Sequence, residues 1–284
     1  MQEARPSRTA MRVAMRRAAH QLFDHPKVLV DPIALPIIGP EAAAKLEAER
    51  GRHQSRVARN LRAFLVARSR FAEDELARAV VRGVRQYVVL GAGLDTFAYR
   101  NPHGDFAPRV FEVDYPATQE WKRQKLAAAG IAIPPSVTYA PVDFERQTLA
   151  EGLKLAEFDA SKAAFFSWLG VTMYLTEEAV MATFGFIATS PPDGGIAFDY
   201  AVPRSSLDWV GRLALDALSH RVAAAGEPFR TFFKPSALAE LLRRIGFRCV
   251  EDLDADEINS RYFKDRSDRL RVTSSMGHLM SAEV

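Results

Sequence analysis

The sequence predicts a doubly wound α/β fold, in which helices cover both faces of a mostly parallel β-sheet. Residues 87–90 form a continuous apolar run that ends at Gly91, a pattern typical of a central strand covered on both faces. From there on, strand-like segments alternate with helical ones, which favours parallel strands joined by right-handed crossovers. A glycine-containing turn follows the first strand directly, at the strand end where such sheets bind ligands.

Helical patterns dominate the segment ahead of this strand. They cover residues 7–23, 41–50, 55–68 and 71–82. Pro32 and Pro36 separate the first helix from the second, because the residue before a proline is pushed away from helical geometry. Gly83 ends the last helix, as glycine commonly does at helix C-termini. We expect these helices to form a cap on the sheet.

The first 23 residues also allow a second interpretation. They contain five arginines and a single acidic residue, Glu3, which loosely resembles an amphipathic targeting peptide. No apolar core follows the arginines and nothing resembles a cleavage site. A capping helix that begins near Ser7 is therefore the preferred interpretation.

Six further strands are predicted, at residues 110–114, 137–142, 163–167, 195–200, 247–253 and 276–282. Pro141 suits a strand at the edge of the sheet, where a missing backbone donor does no harm. Helices are predicted between these strands at residues 116–129, 177–189, 204–225 and 235–245. The helix at 204–225 is long and amphipathic, and we expect it to be a lid inserted after the fifth strand. The chain is thus predicted to be one domain, with a cap (1–84), a core (85–202), a lid (203–234) and a C-terminal part of the sheet (235–284).

Composition narrows the classes of function. The net charge is +3 and both signs are interspersed, so no basic block for nucleic acid is present. No apolar run approaches the ~18 residues that a membrane-spanning helix needs. The single cysteine, Cys249, excludes an internal disulfide and fits a reducing cytoplasm, and the six histidines show no metal-ligand spacing. We expect a cytoplasmic protein that binds small molecules and no metal.

The turn after the first strand is the first candidate binding element. Gly91 and Gly93 allow a sharp turn and a close approach of the backbone to a ligand. The dinucleotide fingerprint would place a third glycine at position 96, where this chain has Thr96. The two glycines alone are also compatible with a purely structural turn.

The next two strand ends carry acidic residues. Asp114 ends the second strand, 21 residues beyond Gly93, where a carboxylate can accept hydrogen bonds from a ribose diol. Asp143 and Phe144 follow the third strand, where an acid beside an aromatic ring could hold an adenine. The alternatives are a solvated acid or a helix N-cap for Asp114 and a loop acid for Asp143. Together these residues predict an adenosine-containing ligand, with a methyl donor and a nicotinamide cofactor both still open.

These motifs resemble the leucine carboxyl methyltransferase family, and more closely its bacterial branch of S-adenosylmethionine-dependent methyltransferases. The stretches that carry the resemblance are residues 85–96, 111–116, 141–144 and 173–176, which match in order and spacing. The resemblance covers nearly the whole chain. It implies a Rossmann-like class I methyltransferase fold and S-adenosylmethionine as the cofactor.

The resemblance also implies roles for individual residues. Gly91 and Gly93 would approach the methionine part of the donor, Asp114 would hold the ribose, and Asp143 with Phe144 would hold the adenine.

An arginine ahead of the first strand would pair with the donor's carboxylate. Arg68 and Arg70 both lie in the matching segment, and Arg68 is preferred. A solvated helix arginine is the alternative for each.

The chain departs from the family pattern at two places. Val89 stands two residues before the first glycine, where many methyltransferases carry an acid. Asp95, at the position usually held by a third glycine, is expected to serve the donor's ammonium group instead. Leu169 stands where the eukaryotic members have a glutamate, so a donor contact is lost or is supplied by the backbone around Trp168 and Gly170.

The predicted reaction is O-methylation of a small organic acceptor, with the carboxylate of a secondary metabolite as the first choice. A carboxylate is ionised at neutral pH, whereas a phenol or alcohol usually needs a base, and no histidine–acid pair is plain in the sequence. Tyr174, Tyr200 and His220 are the catalytic candidates. A nicotinamide-dependent oxidoreductase and a non-catalytic adenosine-binding module are the rival functions.

Overall fold

The computed structural model describes residues 8–143, 147–224, 226 and 228–284, and within these residues seven strands form one sheet. The strands are β1 (Gln86–Leu90), β2 (Arg109–Asp114), β3 (Val137–Pro141), β4 (Ala164–Trp168), β5 (Gly195–Ala201), β6 (Arg248–Leu253) and β7 (Gly277–Glu283). Their order is β3-β2-β1-β4-β5-β7-β6. β1 to β5 are parallel, and β7 runs antiparallel to both β5 and β6. The predicted mostly parallel α/β sheet is therefore confirmed.

The helices are α1 (Arg8–Phe23), α2 (Ala34–Ile38), α3 (Pro40–Ala48), α4 (Arg50–His53), α5 (Arg56–Val81), α6 (Pro116–Ala128), α7 (Leu149–Leu155), α8 (Glu177–Ala188), α9 (Trp209–Ala224), α10 (Pro235–Arg244) and α11 (Ala255–Tyr262). The prediction of two separate helices at 55–68 and 71–82 is wrong, because α5 is continuous through that region. Nothing between them breaks a helix, and the Ser69 hydroxyl donates to the Leu65 carbonyl one turn back. Ser7, where the first helix was expected to begin, lies outside the described residues.

Both faces of the sheet are covered, as the apolar β1 predicts. On one face, Phe111, Phe166 and Phe198 pack against α7, α8 and α10. On the other face, Tyr87 and Val89 pack against α5 and α11. Because the parallel strands all end at the same edge, their loops converge there, at the edge where open α/β sheets bind ligands.

The helix predicted to be a lid, α9, is only partly packed. Leu215 is buried against the core, whereas Trp209 is 72% exposed and Leu213 is 61% exposed. The lid remains a prediction. No helix in the described part of the chain has the length and apolar character needed to cross a membrane.

The cap is joined to α5 by a buried charge pair. Asp24 follows α1, and its two carboxylate oxygens accept from Nε and Nη2 of Arg62 at 2.7 and 2.8 Å. His20 adds a bond at 2.9 Å. Although burial raises the pKa of Asp24, Arg62 and His20 lower it to about 2. The pair is therefore ionised over the whole physiological range.

We predict that Asp24→Asn lowers the free energy of unfolding by about 3–5 kcal/mol at pH 7, because it leaves a buried guanidinium without its counter-ion. The contribution of the ionised Asp24 to the free energy of unfolding is present above pH 3.8, the ordinary pKa of the carboxyl, and is lost as the pH falls through about 2. Urea unfolding measures it. Glu49→Gln, in the exposed Glu49–Arg52 pair, is the matched control and should change little. An equal effect of the two substitutions would contradict the prediction.

Candidate functional site

The turn after β1 is held in a conformation that favours glycine. Gly91 has φ +67° and Gly93 has φ +47°. The Gly91 and Ala92 amides both donate to the Val113 carbonyl of β2, at 2.8 and 3.1 Å. A Cβ on Gly91 would stand 2.5 Å from Cγ2 of Val171, which lies in the loop after β4. The turn therefore packs between the ends of β2 and β4, with no room for a side chain at Gly91.

Asp114 closes this turn from the side of β2. Its Oδ2 accepts from the Gly93 amide at 2.6 Å, and its Oδ1 accepts from the Tyr115 amide at 2.7 Å. Burial raises the pKa of this carboxyl, while the two amides lower it. The glycine turn and the acid that the sequence predicted as separate ligand elements therefore form one unit.

A second buried pair lies directly behind Asp114. Lys122 of α6 contacts Glu112 of β2 at 2.7 Å, and both side chains are buried. The Tyr99 hydroxyl donates to the same Glu112 oxygen at 3.2 Å. Burial raises the pKa of Glu112, and Lys122 lowers it. Local sequence patterns do not predict this pair, although an acid inside an apolar strand is a visible signal.

Both carboxylate oxygens of Asp95 accept hydrogen bonds from other residues of the protein. Its Oδ2 accepts from Nη1 of Arg17 at 3.0 Å, and its Oδ1 accepts from the Phe97 amide at 2.8 Å. Although burial raises the pKa of Asp95, Arg17 and Lys122 hold it below its ordinary value. The carboxylate is thus ionised and fastens the cap to the glycine turn; its expected contact with a donor ammonium group stays a prediction.

The structure separates the two candidate arginines. Arg68 is buried at the ends of β4 and β5, where its Nη1 donates to Asp199 at 2.9 Å. A Cβ on Gly170 would lie 2.7 Å from that same Nη1, so the guanidinium rests on the Gly170 backbone. Arg70 points to another side of α5, where it pairs with Asp74 at 2.7 Å and is 48% exposed. Only Arg68 lies at the edge of the sheet that carries the glycine turn.

The end of β4 also shows a residue that sequence reasoning missed. Asp199 of β5 accepts from the Gly170 amide through Oδ1 and from Arg68 through Oδ2, so it joins β4, β5 and α5. The Trp168 ring packs edge-on against Phe184 in the core, which leaves only its backbone at the strand end. Leu169 packs on the α5 side of the sheet. An acid within the apolar β5 was the signal that could have found Asp199.

Asp143 lies at the same edge as Asp114. Pro141 of β3 is the register partner of Asp114, and Asp143 follows two residues later. The Asp143 carbonyl accepts from the Gln147 amide at 2.9 Å. Phe144 lies outside the described residues.

The three catalytic candidates occupy different surroundings. Tyr174, in the turn after β4, packs against Phe229 with ring centroids 5.4 Å apart. Tyr200 is buried in β5 and its hydroxyl donates to Asp252 at 2.7 Å. His220 is exposed on α9.

Although no histidine–acid pair is plain in the sequence, the structure contains two. His20 contacts Asp24 at 2.9 Å, and His278 contacts Asp252 at 2.8 Å. The residues of the first pair are four positions apart, His20 near the end of α1 and Asp24 directly after it, a spacing that the sequence displays. The second pair joins β7 to β6 and depends on the strand order, which the sequence alone did not reveal.

The strand order, with antiparallel β7 between β5 and β6, and the glycine turn bonded to an acid at the end of β2 define a class I methyltransferase fold. Comparisons with known proteins agree. The family model for leucine carboxyl methyltransferase matches residues 10–188. The chain belongs to this family and is a methyltransferase.

Individual relatives extend the likeness over the whole chain. A Bacillus subtilis protein named "Putative S-adenosyl-L-methionine-dependent methyltransferase YktD" is 31% identical, over 98% of each chain. A protein of Mycolicibacterium smegmatis with a similar name is 32% identical over 69% of this chain and 67% of its own. A crystal structure from Thermobifida fusca, described as a "putative methyltransferase", has the same fold, with TM-score 0.59 and 17% identity over 99% of this chain and 96% of that one.

We predict that Gly91→Ala destabilises the protein more than Gly130→Ala. Both glycines have φ +67°, so both substitutions incur the left-handed cost of about 1–2 kcal/mol. Only at Gly91 does the new Cβ meet a neighbour, Val171, which adds about 1–3 kcal/mol of overpacking.

Chemical denaturation of the two variants measures the difference. In a Val171→Ala variant, where the neighbour is smaller, adding Gly91→Ala should lower the free energy of unfolding no more than Gly130→Ala does in the wild type. Equal losses for Gly91→Ala and Gly130→Ala would show that the turn has room for a side chain.

Proposed function

We propose that this methyltransferase transfers the methyl group of S-adenosylmethionine to an oxygen atom of a small organic acceptor. S-adenosylmethionine is its methyl donor, in line with its family and with the names of its relatives. A nicotinamide-dependent oxidoreductase is set aside on the same grounds. The observation that carries the proposal is the convergence of Arg68, the glycine turn and Asp114 at one edge of the sheet.

The residues at this edge fit the donor. Arg68 presents a buried guanidinium, which suits the donor's carboxylate because two parallel N–H groups can bind both oxygens. Asp114 accepts the Gly93 and Tyr115 amides and is also bonded by Thr118, and because a carboxylate has about four lone-pair sites it can still accept a ribose hydroxyl. Gly91 and Gly93 let the backbone lie against the methionine part. Asp143, with Phe144 next in sequence, is the candidate for the adenine.

The bound donor supplies a methyl group already activated by its sulfonium. The chain therefore contributes mainly alignment, because an in-line displacement needs the acceptor oxygen, the carbon and the sulfur held in one direction. Arg68 would hold the methionine carboxylate and Asp114 the ribose, on either side of the sulfonium, which fixes where its methyl group points.

Two classes of acceptor oxygen are candidates. A carboxylate, with an ordinary pKa of about 4, needs no base and agrees with the reaction for which the family is named. A phenol or alcohol needs its proton removed, and the His278–Asp252 pair favours this class. Neighbouring aromatic side chains at Tyr174 and Phe229 suit an organic acceptor with apolar surface, such as a secondary metabolite.

Arg68→Ala should weaken binding of S-adenosylmethionine and S-adenosylhomocysteine by about 1.5–3 kcal/mol, the scale of hydrogen bonds to a charged group. Binding of methylthioadenosine should change little, since it lacks the carboxylate. Isothermal titration calorimetry measures all three ligands. Arg70→Ala is the matched control, two residues away on the same helix, and should leave all three affinities unchanged. Equal weakening of all three ligands in Arg68→Ala would make Arg68 a structural residue.

Asp114→Ala should weaken all three ligands, because all three carry the ribose. The expected loss is again about 1.5–3 kcal/mol. Unchanged affinities in a folded Asp114→Ala variant would contradict the ribose assignment, even if the Arg68 result were as expected.

A further inference from the structure

Three polar side chains form a connected group across the antiparallel part of the sheet. Asp252 of β6 accepts from the Tyr200 hydroxyl at 2.7 Å through Oδ1, and contacts Nδ1 of His278 at 2.8 Å through Oδ2. The rings of Tyr200 and His278 are 5.6 Å apart, on the same face of the neighbouring strands β5 and β7. The group contains a histidine held by a carboxylate, which is the arrangement of a general base.

The hydrogen bonds determine which nitrogen of His278 is available. Burial and the charge of Asp252 raise the pKa of Tyr200, so its hydroxyl stays protonated and donates. Asp252 then accepts from both neighbours, and its bond to His278 places the proton of the neutral ring on Nδ1. Nε2 keeps its lone pair and has no hydrogen-bond partner among the residues that the structure describes. The side chain is 11% exposed, so it is sheltered and still reachable.

The other histidine–acid pair lacks this property. Nε2 of His20 already accepts from the Val28 and Leu29 amides at 3.0 and 3.3 Å. Its side chain is fully buried beside Asp24 and Arg62. Both of its nitrogens are therefore occupied within the fold, and its role is to hold the cap.

The position of His278 also fits a role in the reaction. It is the second residue of β7 and faces Tyr200, which lies next to the last residue of β5. It is thus near the same edge as Asp199, which holds Arg68 and Gly170. β7 lies two strands from β4, so His278 is about 10 Å from the end of β4 at ordinary strand spacing.

The opposite face of β7 is covered at this end, because Phe64 of α5 lies against Gly277.

We propose that Nε2 of His278 is the general base that takes the proton from the acceptor, and that Asp252 and Tyr200 are positioning residues. This rests on the proposed methyl transfer to oxygen and names the acceptor class: a phenol or alcohol. It replaces the carboxylate as the first choice, since a carboxylate at neutral pH has no proton to give.

The step balances without a further reactant. The acceptor's O–H bond breaks and its proton moves to Nε2. An oxygen lone pair forms the new bond to the methyl carbon, the carbon–sulfur bond breaks, and its electron pair stays on sulfur. The protonated imidazole then releases its proton to water.

A probe with both kinds of oxygen tests the proposal directly. We would incubate 4-hydroxybenzoate with the enzyme and S-adenosylmethionine carrying a labelled methyl group. The proposal predicts label in a methyl ether, which survives mild base, and not in a methyl ester, which mild base cleaves. His278→Gln should lower the rate at least a hundredfold, the low end of what a general base supplies. The exposed His25→Gln is the matched control and should not change it.

The pH profile separates a base from a structural histidine. The groups that contact the imidazole are Asp252 from β6 and Tyr200 from β5. The wild-type kcat/KM should rise with pH and then level off, as expected of a reaction that needs an unprotonated base. Asp252→Asn should move that rise to lower pH, because the lost carboxylate no longer favours the protonated ring. Added imidazole should partly restore His278→Ala.

Each contrary result has a distinct meaning. Methyl ester formed at equal rates by the wild type and His278→Gln would overturn the base and leave O-methyl transfer standing. Ether formed at equal rates by both would also overturn it. No label on either oxygen, from protein that binds the donor by calorimetry, would count against both the base and the proposed function. If His278→Gln does not fold, the unshifted pH profile of a folded Asp252→Asn variant would overturn the proposal.

Discussion

The rest of the structure depends on the hydrogen bonds of one buried arginine, Arg17 of α1. Its guanidinium donates to Asp31 at 2.6 Å, to Asp95 at 3.0 Å and to Thr96 at 2.5 Å. A charge this deep is tolerated only when it is paired, so its partners have to stay in place. Asp95 and Thr96 belong to the segment directly after the glycine turn. The cap and the turn are therefore one unit, and the turn cannot relax without exposing or unpairing Arg17.

This constraint explains how the site is ready before any ligand arrives. The cap holds the turn from one side, and Asp114 holds it from the other through the Gly93 amide. Asp199 does the same for the neighbouring strand end, where it fixes both Arg68 and the Gly170 backbone. Groups positioned in advance lose little freedom on binding, which favours affinity for the donor and a defined direction for its methyl group.

The parts of the site that the sequence predicts are those that depend on neighbours in the chain. Gly91 directly follows the apolar β1 and Asp114 is the last residue of β2, so a local pattern places each at a strand end. Asp199 meets Arg68 across 131 positions, and His278 meets Asp252 only because β7 lies between β5 and β6. Such pairs depend on strand order, and no local spacing contains it. The prediction of two helices in place of the continuous α5 is a different kind of error, since no residue between them breaks a helix.

Amide hydrogen exchange tests the central claim, that the donor lies over the ends of β1, β2 and β4. The measurement compares the protein with and without S-adenosylhomocysteine. We expect added protection in the segments 91–97, 114–115 and 169–172, which belong to the glycine turn, the end of β2 and the loop after β4. The exposed side of α9 should exchange at an unchanged rate. Protection confined to α9 or to the loop between α11 and β7, with none in the glycine turn, would contradict the account.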